Sequence, residues 1–374
     1  MTDRPRVLLL IPHLGGGGAE QVTALLARGL SHSKYELHLV LVTQQSWAPT
    51  IMPAGITVHA LGARRVRSAP FQLLRLIRSL KPDLLLSGMA HLNFLVLFLR
   101  PFYSARTHIL VRQNGTVSAV LASAPHPRFT RFLYRVLYRR ADCVICQTTA
   151  MAKDMRDEVA VQDKQLAVLA NPLDVENLRA TSESSSKVGR QSNSSAPRLL
   201  AIGRLAHEKG FDLLLHAFAT VREALPEVQL LIAGDGPEEL TLKAQCSQLG
   251  LESAVVFLGH VDHPSTWFPD TTLFVLSSRQ DAMPNALLEA AACGLPIVAT
   301  PASQGLVDLL RDQTGVWLAE EITARALSVA LLQALNQLSP TQRFPHPFIE
   351  PFRFQHAIDA YESLIDATLR ERPL

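Results

Sequence analysis

Arg204 and Lys209 lie in the segment Arg204-Leu205-Ala206-His207-Glu208-Lys209-Gly210, directly after the apolar run 198–203. If that run is a strand and Phe211, Leu214, Leu215 and Phe218 open the next helix, both cations stand at a strand's carboxyl end, where they can neutralise a departing diphosphate. Further on, Asp281 and Glu289 flank Pro284. Pro284 cannot continue a helix backwards but suits its first position, so a helix is expected to begin there, with Asp281 in the loop ahead. Glu289 then stands about 7.5 Å along the axis, at about 1.5 Å per residue. The helix N-terminus between the two carboxylates offers unpaired N–H groups and about half a positive charge to a phosphate. Carboxylates suit hydroxyl groups, so the pattern fits a nucleotide sugar with its sugar on one side of the diphosphate and its ribose on the other. The plainer alternative is a loop aspartate and a solvated helical glutamate.

The elements that must position these residues follow from pattern. Leu287, Leu288, Ala291 and Ala292 give the helix an apolar stripe, Gly294 reads as its C-terminal cap, and 296–300 reads as a strand. The first half alternates apolar runs at 7–11, 37–43, 56–60, 84–87, 108–111 and 144–146 with amphipathic stretches. Such alternation argues for a parallel sheet covered on both faces, with ligands at the carboxyl ends of its strands. The first of those ends is the glycine-rich turn Pro12 to Glu20, where glycines let a backbone approach a phosphate or sugar. His91 follows the fourth strand, and Gln113 and Asn114 follow the fifth.

Motifs in four places carry a resemblance. Pro284, Asn285, Ala286, Leu287, Leu288, Glu289, Ala290, Ala292, Cys293, Gly294 and Pro296 match the donor-site signature of retaining glycosyltransferases of family 4 type, the glycosyl transferases group 1. Asp281, Ala282 and Met283 depart from its usual Glu-Gly-Phe, on the sugar side. Gly203 to Gly210 resembles the diphosphate-binding element, Gly17-Gly18-Ala19-Glu20 the turn after the first strand, and Asn171-Pro172-Leu173-Asp174 the close of the N-terminal domain. The resemblance implies a GT-B fold, two doubly wound α/β domains facing across a cleft, and transfer of a sugar from a UDP- or GDP-linked donor with retention of configuration. It implies donor contacts at Gly16, Gly17, Arg204, Lys209, His260, Asp281, Ala282, Met283, Pro284, Asn285, Leu288 and Glu289, with Asp281, Arg204 and Lys209 catalytic. Relatives place a histidine where this chain has Gln113, so the acceptor side is assigned to His91, Gln113 and Asn114. These departures leave open a second class, a nucleotide-sugar-binding protein that no longer catalyses.

Composition bounds the rest. The 374 residues, 48% hydrophobic, suffice for two domains, and a net charge of +3 is too small to point to nucleic acid without a localised basic face. The GxGxxG spacing of a dinucleotide oxidoreductase is missing, as are Asp-x-Asp and HExxH, so no metal and no cofactor beyond the co-substrate is expected. Cys143 and Cys146 sit in an apolar run, where a strand puts them on opposite faces, so they read as buried structural thiols in a reducing, cytoplasmic compartment. Residues 127–140 interleave five arginines with Phe129, Phe132, Leu133, Val136 and Leu137. As a helix this segment suits either packing on the sheet with solvated arginines or peripheral contact with an anionic inner membrane surface carrying a lipid-linked acceptor. The expected organisation is an acceptor-binding domain over 1–175, a Ser-rich linker over 176–197, a nucleotide-sugar domain over 198–342, and a C-terminal helical segment over 343–374 that returns to the first domain.

Overall fold

The computed structural model describes residues 4–14, 17–43, 55–187, 196–339 and 341–371. The chain forms two compact units, Met1–Leu173 with Pro351–Leu374, and Asp174–Glu350.

The first unit runs β1 (Arg6–Ile11), α1 (Gly18–Gly29), β2 (Glu36–Thr43), β3 (Thr57–Ala63), α2 (Pro70–Leu80), β4 (Leu84–Ser87), α3 (Ala90–Leu99), β5 (His108–Arg112), α4 (Val117–Ser123), α5 (Pro127–Leu137), β6 (Cys143–Cys146), α6 (Thr149–Val159) and β7 (Leu166–Val168). Its strands lie in the order β3-β2-β1-β4-β5-β6-β7, all pairs parallel. Strands covered on both faces must be apolar at nearly every position, and Leu84–Ser87 and Cys143–Cys146 are buried throughout. β7, three residues of moderate burial at the sheet edge, lacks that signal and was not foreseen.

The second unit runs α7 (Val175–Lys187), β8 (Arg198–Ile202), α8 (Phe211–Ala224), β9 (Gln229–Ala233), α9 (Glu239–Gln248), β10 (Val255–Gly259), β11 (Leu273–Leu276), α10 (Asn285–Ala292), β12 (Ile297–Ala299), α11 (Gln304–Leu310), β13 (Val316–Leu318) and α12 (Ala324–Gln337). Its sheet, in the order β10-β9-β8-β11-β12-β13, is also parallel. Strand residues Leu199, Leu230 and Val275 pack with Leu214 and Phe218 of α8 and Leu327 and Leu331 of α12. The last helix, α13 (Phe354–Arg370), belongs to the first unit, where Ile358, Tyr361 and Ile365 join Val22 and Leu26 of α1 in one core.

The expected linker 176–197 is corrected in its first half. Residues 175–187 are helical despite their serines, whose side chains compete with helical backbone bonds. Tertiary contacts override that preference: Val175 is fully buried and Arg179 Nε donates to Ala292 O of α10 at 2.8 Å. Residues 188–195 lie outside the described residues.

Both sheets reverse their strand order once, between β1 and β4 and between β8 and β11. In open parallel sheets the carboxyl ends at such reversals leave a crevice for ligands.

Candidate active site

In the second unit the loops after β8 and β11 meet at that reversal. Gly210 ends the short 3-10 turn His207–Lys209 with φ of +63°, a left-handed conformation that L side chains resist. A Cβ there would stand 2.2 Å from Ser277 O, so only glycine lets the two loops touch. Ser277 Oγ donates to Lys209 O at 2.9 Å, and the backbone N–H groups of Arg279 and Gln280 donate to Glu208 O at 2.8 and 3.2 Å. Arg279 also grips Asp212, the second residue of α8, through two bonds of 2.6 and 2.5 Å. Burial opposes ionisation of Asp212, but Arg279 outweighs it and holds the carboxyl below its ordinary range. Sequence reading missed this clasp, whose partners are 67 residues apart.

The clasp brings together two residues expected to act on opposite parts of a ligand. Lys209 Nζ and Asp281 Oδ2 form a direct ion pair, with side chains 26% and 13% exposed. Arg204, more exposed, pairs instead with Glu208, whose carboxyl stays below its usual range despite burial, through its own backbone N–H and Arg204.

The helix beside them, α10, begins at Asn285, one residue later than expected, with Pro284 at the cap position, where its side chain makes no capping hydrogen bond. Gly294 follows its end with φ of +74°. Ala282, Met283 and Leu288 are buried, so their side chains serve packing as much as any ligand. Glu289 corrects the solvated alternative: it is half-buried, and burial pushes its carboxyl up to about 7. Neither an ion pair nor a side-chain hydrogen bond compensates it among the described residues. His260, after β10, is exposed and lies 3.4 Å from Asp262.

In the first unit, Gly16 lies outside the described residues. Gly17 precedes α1, and the Glu20 carboxylate folds back so closely that a Cβ on Gly17 would meet Oε2 at 2.5 Å. Glu20 is buried, and its Oε1 stands 3.7 Å from His13 Nδ1. His91, exposed in the first turn of α3, is held below its ordinary pKa by partial burial and then by His13, with Glu20 opposing. Gln113 departs from the expectation of a ligand-facing residue. It is buried, its Nε2 donates to Gly115 O at 2.9 Å, and its Oε1 accepts from Tyr138 Oη at 2.9 Å. Asn114 donates to Gly88 O and accepts from Gln147 at 3.4 Å. Beside them Arg112, fully buried, donates to Tyr361 Oη at 2.9 Å and Asn171 Oδ1 at 2.7 Å, tying α13 to β5.

Two family models match the chain, "Glycosyl transferase 4-like domain" over 17–172 and "Glycosyl transferases group 1" over 196–337. The chain is 25% identical over 358 residues to a lipopolysaccharide core biosynthesis glycosyltransferase of Rhizobium meliloti, covering 94% of this chain and 97% of that one. Its fold is that of Anabaena HepE, solved in complex with UDP and glucose, at a TM-score of 0.80 and 18% identity over 97% and 100% of the two chains. Sucrose-phosphate synthase from Thermosynechococcus elongatus gives the same TM-score at 16% identity, over 97% and 100%. Two parallel sheets reversing in the same sense, motifs in both units and matches to both halves together place the chain in the glycosyl transferases group 1 family, as a glycosyltransferase of GT-B fold.

Proposed function

We propose that this glycosyltransferase moves a hexose from a UDP- or GDP-linked sugar to a hydroxyl of a glycan or lipid-linked saccharide, with retention and without a metal, in the cytoplasm. The observation that carries this reading is the Lys209–Asp281 ion pair ahead of the N-terminus of α10, where Pro284 stands at the cap position. Breaking the bond between the sugar and the diphosphate leaves negative charge on the leaving group and positive charge on the sugar ring. Lys209 can exchange Asp281 for the diphosphate, joining Arg204 and the helix N-terminus in stabilising it. Asp281, released from its cation, then faces the positively charged ring. Glu289, five residues along α10 from Pro284, receives the ribose hydroxyls. His91, with His13 and Glu20 nearby, serves the acceptor side, and Gln113 supports it from within.

Acceptor-dependent release of nucleoside diphosphate, measured across UDP- and GDP-sugars with chelator present, tests the reading. Proton couplings at the anomeric carbon of the product report retention. Binding of a donor without release for any acceptor would instead favour the silent-binder alternative. Activity that vanishes with chelator would refute metal independence.

A further inference from the structure

The modest net charge conceals a strong asymmetry. Residues 64–140 hold 14 of the 36 Lys and Arg but only one of the 33 Asp and Glu, so this stretch carries +13 and the rest of the chain −10. The stretch includes α2, α3 and α5 of the first unit, which form a continuous row. Arg78 Nε on α2 donates to Phe102 O just after α3, Phe94 of α3 packs edge-on against Tyr134 of α5, and Arg140 reaches Leu97 O.

The outer surface of this row is apolar as well as basic. Phe71, Phe98, Phe102, Phe129 and Phe132 are 83%, 59%, 51%, 60% and 58% exposed. On α5, Phe129, Phe132 and Val136 recur at helical spacing, and Arg128, Arg131 and Arg135 form the adjoining stripe, while Tyr134 and Leu137 face inward. Arg131 is paired with the Glu158 carboxylate and Arg135 Nε donates to Glu158 O at 3.3 Å, whereas Arg75, Arg128 and Arg139 have no acidic partner among the described residues. Solvated arginines alone would account for the charge but not for the phenylalanines, each of which loses by meeting water. A duplex phosphate backbone would match the charge and leave the Phe and Val side chains unused, and a single strand would stack bases on the rings but leave Val136 bare. An anionic bilayer satisfies both, since phosphate headgroups meet the arginines while rings enter the boundary between headgroups and acyl chains.

We propose that the α2–α3–α5 face docks the protein peripherally on an anionic lipid bilayer. No helix among the described residues is long and apolar enough to cross a membrane. Attachment through exposed arginines is salt-sensitive, because ions screen their attraction to the headgroups. This inference rests on the surface alone and stands apart from the assignment of donor and acceptor.

Co-sedimentation with phosphatidylcholine vesicles, with and without phosphatidylglycerol, tests it. Wild type is expected to bind the anionic vesicles at low salt, to bind pure phosphatidylcholine far more weakly, and to be released as salt rises. Each arginine near an anionic surface contributes about 1 kcal/mol, or about fivefold in affinity. Arg128→Gln, Arg135→Gln and Arg139→Gln together should therefore weaken binding about a hundredfold. Phe129→Ser with Phe132→Ser should weaken it at least tenfold. All five positions are exposed, and unchanged circular dichroism and melting temperature would verify that the variants fold. No binding to anionic vesicles at low salt, or wild-type binding in both variants, overturns the proposal. So does binding that the Phe variant retains in full and an RNA oligonucleotide displaces, since that would assign the face to nucleic acid.

Discussion

Glu289→Gln is expected to stabilise the free enzyme at alkaline pH while weakening its hold on the donor. Burial raises the Glu289 carboxyl from an ordinary 4.5 to about 7, with no compensating partner among the described residues. At about 1.4 kcal/mol for each pKa unit, that gap corresponds to about 3 kcal/mol, a ceiling because the residue keeps part of its surface in water. The sign follows from proton counts. Below about pH 4.5 both folded and unfolded chains carry the proton, and Glu289 costs nothing through its charge. Between about 4.5 and 7 the unfolded chain has released its proton while the folded one retains it, so stability falls as pH rises. Above about pH 7 the folded protein bears the full cost of a buried charge. Glutamine never ionises, so the variant should gain up to about 3 kcal/mol on wild type near pH 8 and little near pH 4.5. Denaturant unfolding followed by tryptophan fluorescence suits this comparison, since Trp267 and Trp317 lie in the same unit as Glu289. The diphosphate of a nucleotide sugar is esterified at both ends and does not titrate near neutrality, so donor affinity isolates the protein's contribution. Ribose hydroxyls donate to an ionised carboxylate, so wild-type affinity should strengthen as pH rises through 7 and that trend should vanish in Glu289→Gln. Equal stabilities near pH 8, together with the same flat affinity profile in both proteins, would refute a buried, ribose-binding Glu289.

The other predictions concern charge and backbone around the same site. Arg204→Ala and Lys209→Ala should each lower turnover about a hundredfold or more, as losing one preorganised group at a developing charge typically does, and near-normal rates in both folded variants would exclude them from leaving-group stabilisation. Asp281→Ala should reduce turnover more than nucleoside diphosphate affinity, because its partner in the reaction is the sugar ring; titration calorimetry beside steady-state rates separates the two, and unchanged turnover with every donor would rule the role out. Gly210→Ala should destabilise the protein by at least about 1 to 3 kcal/mol, combining a left-handed backbone with the 2.2 Å approach to Ser277 O, and a melting temperature equal to wild type would contradict that geometry.

Periodicity alone located most of the framework. The apolar runs become β1, β2, β4, β5, β6 and β8 within a residue or so, because a parallel strand buried on both faces has almost no position free for a polar side chain. Pro284 and Gly294 marked the ends of α10 because each acts on its own backbone, and Arg204 to Gly210 announced a strand-end turn by composition and resemblance. What depended on distant residues was not legible. The serines of 175–187 suggest a linker, and only the burial of Val175 and the reach of Arg179 to α10 make the segment helical. Spacing placed Asp281 before the helix but could not reveal that the Arg279–Asp212 clasp carries it onto Lys209. Gln113 stood at the right strand end, yet Tyr138 and Gly115 consume its amide. The hydrophobic pattern of α10 said which residues face the core, but the environment of Glu289 comes from other elements packed around it. Local rules act through one residue's own backbone and neighbours, and so survive in sequence; burial, pairing and pKa belong to contacts that exist only after the chain has closed on itself.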